Sequence, residues 1–216
     1  MNKIRYVVAI LAAMAGLGLQ QTKADFVFDL TVGNSAISGF PGPYAQVDVN
    51  LTSSTTATVT FTSLLNSGNI YLFGGVSSVD VNVNATAFTL TGITGSNAGT
   101  GFTPGIYSQG AAGNVDGHGI FNGIVDSFDG YTHASDNMSF TLTNTSGIWA
   151  SAASVLAPNG SGFLAAAHIF VTTSPADASN GALATGFAAG VPEPSATLLV
   201  PLGGILAFLW RLRTKR

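Results

Sequence analysis

Runs of alternating apolar and polar side chains dominate this chain, and a period of two leaves little choice of fold. Phe26, Phe28, Leu30 and Val32 alternate with Val27, Asp29 and Thr31, and Val47, Val49 and Leu51 alternate with Asp48 and Asn50. The pattern returns at Ala57, Val59 and Phe61 among threonines, and at Val79, Val81 and Val83 against Asp80, Asn82 and Asn84. Phe88 and Leu90, then Met138, Phe140 and Leu142, continue it. Successive side chains of a strand point to opposite faces, so these runs are strands with one buried and one wet face. Threonine on the wet face adds strand propensity without charge. Ile70–Phe73, Ile120–Phe128 and Leu164–Val171 read as further strands. No window of about 12 residues before Ser151 keeps a helical period. The spacing predicts an all-β fold, an antiparallel β-sandwich of about nine strands over residues 25–171. Gly92 to Gly117 reads as a long loop or a weak strand pair, and the Ala, Ser and Gly-rich segment 172–190 as a flexible linker.

Positive charge is confined to the two ends of the chain. All seven basic side chains lie at the termini: Lys3, Arg5 and Lys23 at one, Arg211, Arg213, Lys215 and Arg216 at the other. Residues 25–190 carry nine aspartates and no Lys or Arg. Such a surface cannot neutralise phosphates, so nucleic acid is not an expected partner. The absence of cysteine excludes a disulfide scaffold and a thiolate nucleophile.

Lys3 and Arg5 precede an apolar run from Tyr6 to Leu19, followed by Thr22-Lys23-Ala24. A basic start, a short apolar stretch and small residues before a cleavage point describe a secretory signal. Residues 1–24 are therefore expected to be removed by signal peptidase between Ala24 and Asp25, leaving an exported protein. At the other end, Val191-Pro192-Glu193-Pro194-Ser195 leads into an apolar segment, 196–210, and a basic tail, 211–216. At 1.5 Å per residue that segment spans about 23 Å, a short transmembrane helix. Arg211, Arg213, Lys215 and Arg216 would stop transfer and stay cytoplasmic.

The order of these three parts over residues 191–216 resembles the PEP-CTERM sorting signal of Gram-negative bacteria, whose substrates are processed by a membrane protease-transpeptidase, the exosortase. The resemblance implies that Pro192, Glu193 and Pro194 are recognition residues of a substrate. Two prolines hold the chain extended and deny it helix, which suits presentation of Glu193 outside the membrane. It further implies a precursor anchored in the membrane, then a destination at the cell surface or in the extracellular exopolysaccharide matrix, with exopolysaccharide as a further partner. The same tail is joined to some ice-binding proteins, which assigns nothing to this passenger. Asn114 to Val171 has the flavour of uncharacterised passengers of that family and implies no activity.

Candidates for chemistry are few. Asn114-Val-Asp116-Gly-His118 faintly resembles a calcium loop, but Val125 stands where its twelfth-position Glu belongs. Asp116, Asp126 and Asp129 are the calcium candidates, and turn-forming surface aspartates are the plainer reading. His118, His133 and His168 have spacings unlike those of zinc sites. No Gly-x-Ser-x-Gly elbow is present, and the one Glu lies in the sorting signal. The passenger is accordingly expected to be non-catalytic and to need no cofactor. Uncharged Thr, Ser and Asn faces suit neutral sugars, and Tyr44, Tyr71, Tyr107, Tyr131 and Trp149 could stack on sugar rings. Alternatives are a calcium-dependent carbohydrate-binding or adhesion module and, further off, an unrecognised hydrolase.

Overall fold

Valine, phenylalanine and threonine in strict alternation build two antiparallel sheets on one shared core. A computed structural model describes residues 25–191 apart from Ala98 and Pro104. Residues 1–24, expected to be a signal, and Pro192 to Arg216, expected to be a sorting tail, lie outside the described residues. In chain order the strands are β1 (Phe26–Leu30), β2 (Val32–Gly33), β3 (Ala45–Leu51), β4 (Thr56–Ser63), β5 (Leu65–Asn66), β6 (Asn69–Phe73), β7 (Val79–Val81) and β8 (Phe88–Ser96). They continue with β9 (Ser108–Gly110), β10 (Gly113–Val115), β11 (Gly119–Phe121), β12 (Gly123–Asp126), β13 (Asn137–Asn144), β14 (Ala165–Thr173) and β15 (Ala184–Gly190). Among the described residues no helix is long and apolar enough to cross a membrane.

The first sheet has the order β1-β3-β4-β13-β8. Its inner face is written in the alternation: Val47, Val49, Val59, Phe61, Phe140 and Leu142 are all buried. Its wet face pairs Thr58 with Thr141 and Thr60 with Ser139, the latter two hydroxyls 3.1 Å apart. Cross-strand hydroxyl pairs of this kind contribute a few tenths of a kcal/mol each, about 0.2–1.

The second sheet runs β2-β15-β14-β7-β12-β9, with β6 continuing beside β14 where β7 stops. Val79, Val81, Val125, Ala165, Ala167, Ile169 and Ala188 from this sheet join Phe28, Val49, Phe61 and Met138 from the first in a single cluster. The architecture is sandwich-like and all-β. Phe61 sits at its middle, packed edge-on against Phe73 and stacked near Phe140, with centroids 6.2 and 6.3 Å away.

Unlike the first, the second sheet is covered on its outer face too. The β10–β11 hairpin brings Val115 and Phe121 onto Ala166 and Ala189, and Tyr131 and Phe102 pack near Phe170. Central strand β14 is therefore buried almost along its whole length, on both faces.

Three sequence expectations need correction. Residues 172–190 are no flexible linker: β14 runs to Thr173, and Ala184–Gly190 pair along their whole length with β14, then with β2 through Ala188 and Ala189. Small residues are needed there because other layers come close. A Cβ on Gly190 would overlap the main-chain oxygen of Asp29, and one on Gly186 would lie 2.6 Å from Asn34 Oδ1. The described residues hold fifteen strands rather than about nine, because short strands such as β2, β5 and β9 are too brief to show a period. Ile120–Phe128, read as one strand, divides at Asn122 into β11 and β12.

Candidate functional site

The outer face of the second sheet gathers the polar side chains that the alternation predicts to be solvent-facing. Asp80 pairs with Ile124 across β7 and β12 and with Ala166 across β7 and β14, so its side chain shares the outer face with theirs. Covered there, it has no exposed surface, and neither carboxyl oxygen has a hydrogen-bond partner. Asp126, two residues beyond Ile124, is its diagonal neighbour on that face. Burial pushes the Asp80 carboxyl well above the usual carboxylate range, and the Asp126 carboxylate raises it further. A smaller opposing pull comes from the Ser77 hydroxyl, which lies near without reaching hydrogen-bond geometry.

Asp126 is held by the Ser77 N–H, which donates to its Oδ1 at 2.8 Å. Its Oδ2 rests against Gly110, where a Cβ would come within 2.7 Å. One residue further along β14 from Ala166's neighbour lies His168, sandwiched between Phe187 and Phe170 at centroid distances of 4.5 and 5.2 Å. Its Nδ1–H donates to the Val76 carbonyl at 3.3 Å, so its Nε2 accepts from the Thr185 hydroxyl at 2.8 Å. Burial lowers this imidazole below its usual range, while the Val76 carbonyl and then Asp129 pull it upward by less. Gly75, at a φ of 78°, passes between them: a Cβ there would lie 2.9 Å from His168 Nδ1 and 3.6 Å from Asp129 Oδ1.

The three calcium candidates do not converge. Asp116 lies in the β10–β11 turn and accepts from Asn34 Nδ2 at 3.1 Å, Asp126 faces Asp80, and Asp129 faces His168. The three histidines are also separate, each ring donating to a different main-chain carbonyl: His118 to Phe187, His133 to Thr103, His168 to Val76. Among the described residues no group of three or more such side chains is arranged to hold a metal ion.

The aromatic residues considered for sugar stacking turn inward. Tyr44, Tyr71 and Trp149 are buried, and their polar atoms bind the carbonyls of Phe40, Pro41 and Asn84. Tyr107 and Tyr131 are half-buried, with hydroxyls bound to Ser135 and Thr172. An uncharged groove of about 520 Å³ lies open beside the β7–β8 connection, lined by Asn82, Asn84, Thr86, Asn144, Ser146 and Ala157. Asn82 and Asn84 spend their amide donors on the Ala157 and Ser154 carbonyls. Comparison with family models, curated proteins and solved structures returned no match.

Asp80 is the residue that sequence reasoning missed. Its place between Val79 and Val81 assigns it to a wet face, and only a second layer over that face makes it a buried acid. No local signal announces such a layer.

Proposed function

We propose that this chain is an exported, non-catalytic protein of the cell surface or exopolysaccharide matrix, sorted by an exosortase through Pro192, Glu193 and Pro194. The observation that carries the reading is the order of Pro-Glu-Pro, apolar segment and basic tail over residues 191–216. Strand β15 finishes at the buried Gly190, and Val191, exposed, directly precedes the Pro-Glu-Pro segment. The uncharged groove, lined by Asn, Ser and Thr side chains, adds a polar surface suited to hydrogen bonding with a neutral polysaccharide.

Replacing Pro192, Glu193 and Pro194 together by alanine is the test. The variant should accumulate as an unprocessed, membrane-retained form in the host, while the parent protein reaches the surface or medium. Identical processing of the two would refute the reading.

A further inference from the structure

We propose that Asp80 and Asp126 are the anionic half of a calcium site on the outer face of the second sheet. The starting point is a buried carboxyl group with no partner. Asp80 is completely buried, both of its oxygens lack a partner, and the nearest ionisable side chain acting on it is a second carboxylate. An unpaired buried carboxylate is among the most costly groups a protein can contain. The usual remedy, a Lys or Arg, does not exist anywhere between Asp25 and Trp210. Histidine does not serve either, since burial holds His118 and His168 toward their neutral forms. Among the described residues no cationic side chain is present to neutralise the pair.

The donors are oxygens throughout: the two Asp80 oxygens, the Asp126 Oδ2 left over beside Gly110, and the neighbouring Ser77 hydroxyl. No imidazole or thiolate takes part, which excludes the sites zinc and copper prefer. Magnesium retains several waters and requires near-octahedral geometry, a poor match to a dry pair of carboxylates. Calcium accepts carboxylates and loses its water more readily. Asp126 is half-buried where Asp80 is closed, so the ion enters from the Asp126 side. Of the three residues expected from sequence, Asp126 alone takes part. Its partner is Asp80, to which the strand pattern gave no role.

An ion that binds the folded chain and not the unfolded one stabilises it, which makes the site testable without knowing any further ligand. Thermal unfolding of the full chain in detergent would be followed near pH 8 in chelator, in millimolar calcium and in millimolar magnesium. Calcium at about a hundred times its dissociation constant should raise Tm by roughly 5–10 °C. The shift should vanish in Asp80→Asn and in Asp126→Asn, whose carboxamide oxygen can still accept from Ser77. It should persist in Asp116→Asn and Asp129→Asn. A wild-type Tm indifferent to calcium, or a shift that survives Asp80→Asn, would overturn the site, and an equal response to magnesium would overturn the choice of calcium. Isothermal titration of the wild-type chain gives a second reading that needs no variant to fold: one calcium per chain is expected, and no heat of binding refutes the site. The inference does not rest on the sorting reading, since processing of the Pro-Glu-Pro variant and calcium-dependent melting fail independently.

Discussion

Asn122 grips Val83 by both of its main-chain groups: the Val83 N–H donates to Asn122 Oδ1 at 2.7 Å, and Asn122 Nδ2 donates to the Val83 carbonyl at 3.0 Å. The side-chain amide stands in for a peptide unit and extends the β7–β12 ladder past Gly123 and Val81, its last regular pair. Val83 is buried, so these groups have little water to fall back on. Asn122→Ala should therefore lower stability by about 2 kcal/mol, read from denaturant midpoints at unchanged m-value. A loss within error of zero would show that the ladder re-forms without the amide.

Asp80 should give the domain an unusual pH response in chelator. Its folded carboxyl ionises well above the unfolded one, so the folded state holds a proton that the unfolded state has released. The contribution to stability is full below the unfolded pKa, near 3.8, and is lost as pH rises through the raised folded value. Asp80→Asn should remove that decline and melt higher than wild type at mildly alkaline pH. Equal melting curves for the two proteins across this range would contradict the burial of the carboxyl.

His168 acts in the opposite direction. Burial holds its folded pKa below the unfolded value near 6.5, so the unfolded chain takes up the proton first as pH falls. Its contribution is present above about pH 6.5 and is lost as pH falls toward the depressed folded pKa. His168→Phe keeps a ring between Phe170 and Phe187 and discards the titration. The difference in Tm between wild type and variant should shrink on acidification across this range, and a constant difference would count against the assignment.

Gly190 admits no side chain. A Cβ there overlaps the Asp29 carbonyl and lies 3.1 Å from Leu30 Cα, whereas a Cβ on Gly160 meets nothing within 4 Å. Gly190→Ala should cost on the order of 1–3 kcal/mol because main chain must move. Gly160→Ala should be close to neutral, and comparable losses in the two variants would remove the steric explanation.

Truncation separates a tether from a strand. A chain stopped at Thr173 keeps β14 but loses β15, exposing Val115, Phe121 and Ala166 where Ala189 covered them and unpairing one side of β14. It should aggregate or stay unfolded by circular dichroism, whereas a chain stopped at Val191 should show a cooperative transition. A folded shorter chain would restore the linker reading.

Strands with one wet face were legible: Ala45–Leu51, Thr56–Ser63 and Asn137–Asn144 lie where the alternation of Val, Phe and Leu with Thr and Asn places them. Strand β15 was not, because Ala-Thr-Gly-Phe-Ala-Ala-Gly has the composition of a spacer. Its small residues answer to close approach by Asn34 and Asp29, partners about 150 residues away in sequence that no local window contains. Asp80 escaped notice for the same reason. Residue pattern reports the face a side chain takes, and says nothing of whether another layer lies over it.

The pairing of β15 with β2 has a further consequence for how such a chain is made. Ala188 and Ala189 meet Gly33 and Val32, and the Thr31 N–H donates to Ala189 at 3.1 Å, so the beginning and end of the domain close on each other. Contacts this distant in sequence form late and slowly. A chain crossing a membrane with its N-terminus leading would emerge without the strand that completes its second sheet, and would stay threadable until almost all of the domain had passed. Closure would then wait for the last residues before Pro192, joining the moment of folding to the arrival of the segment proposed to direct sorting.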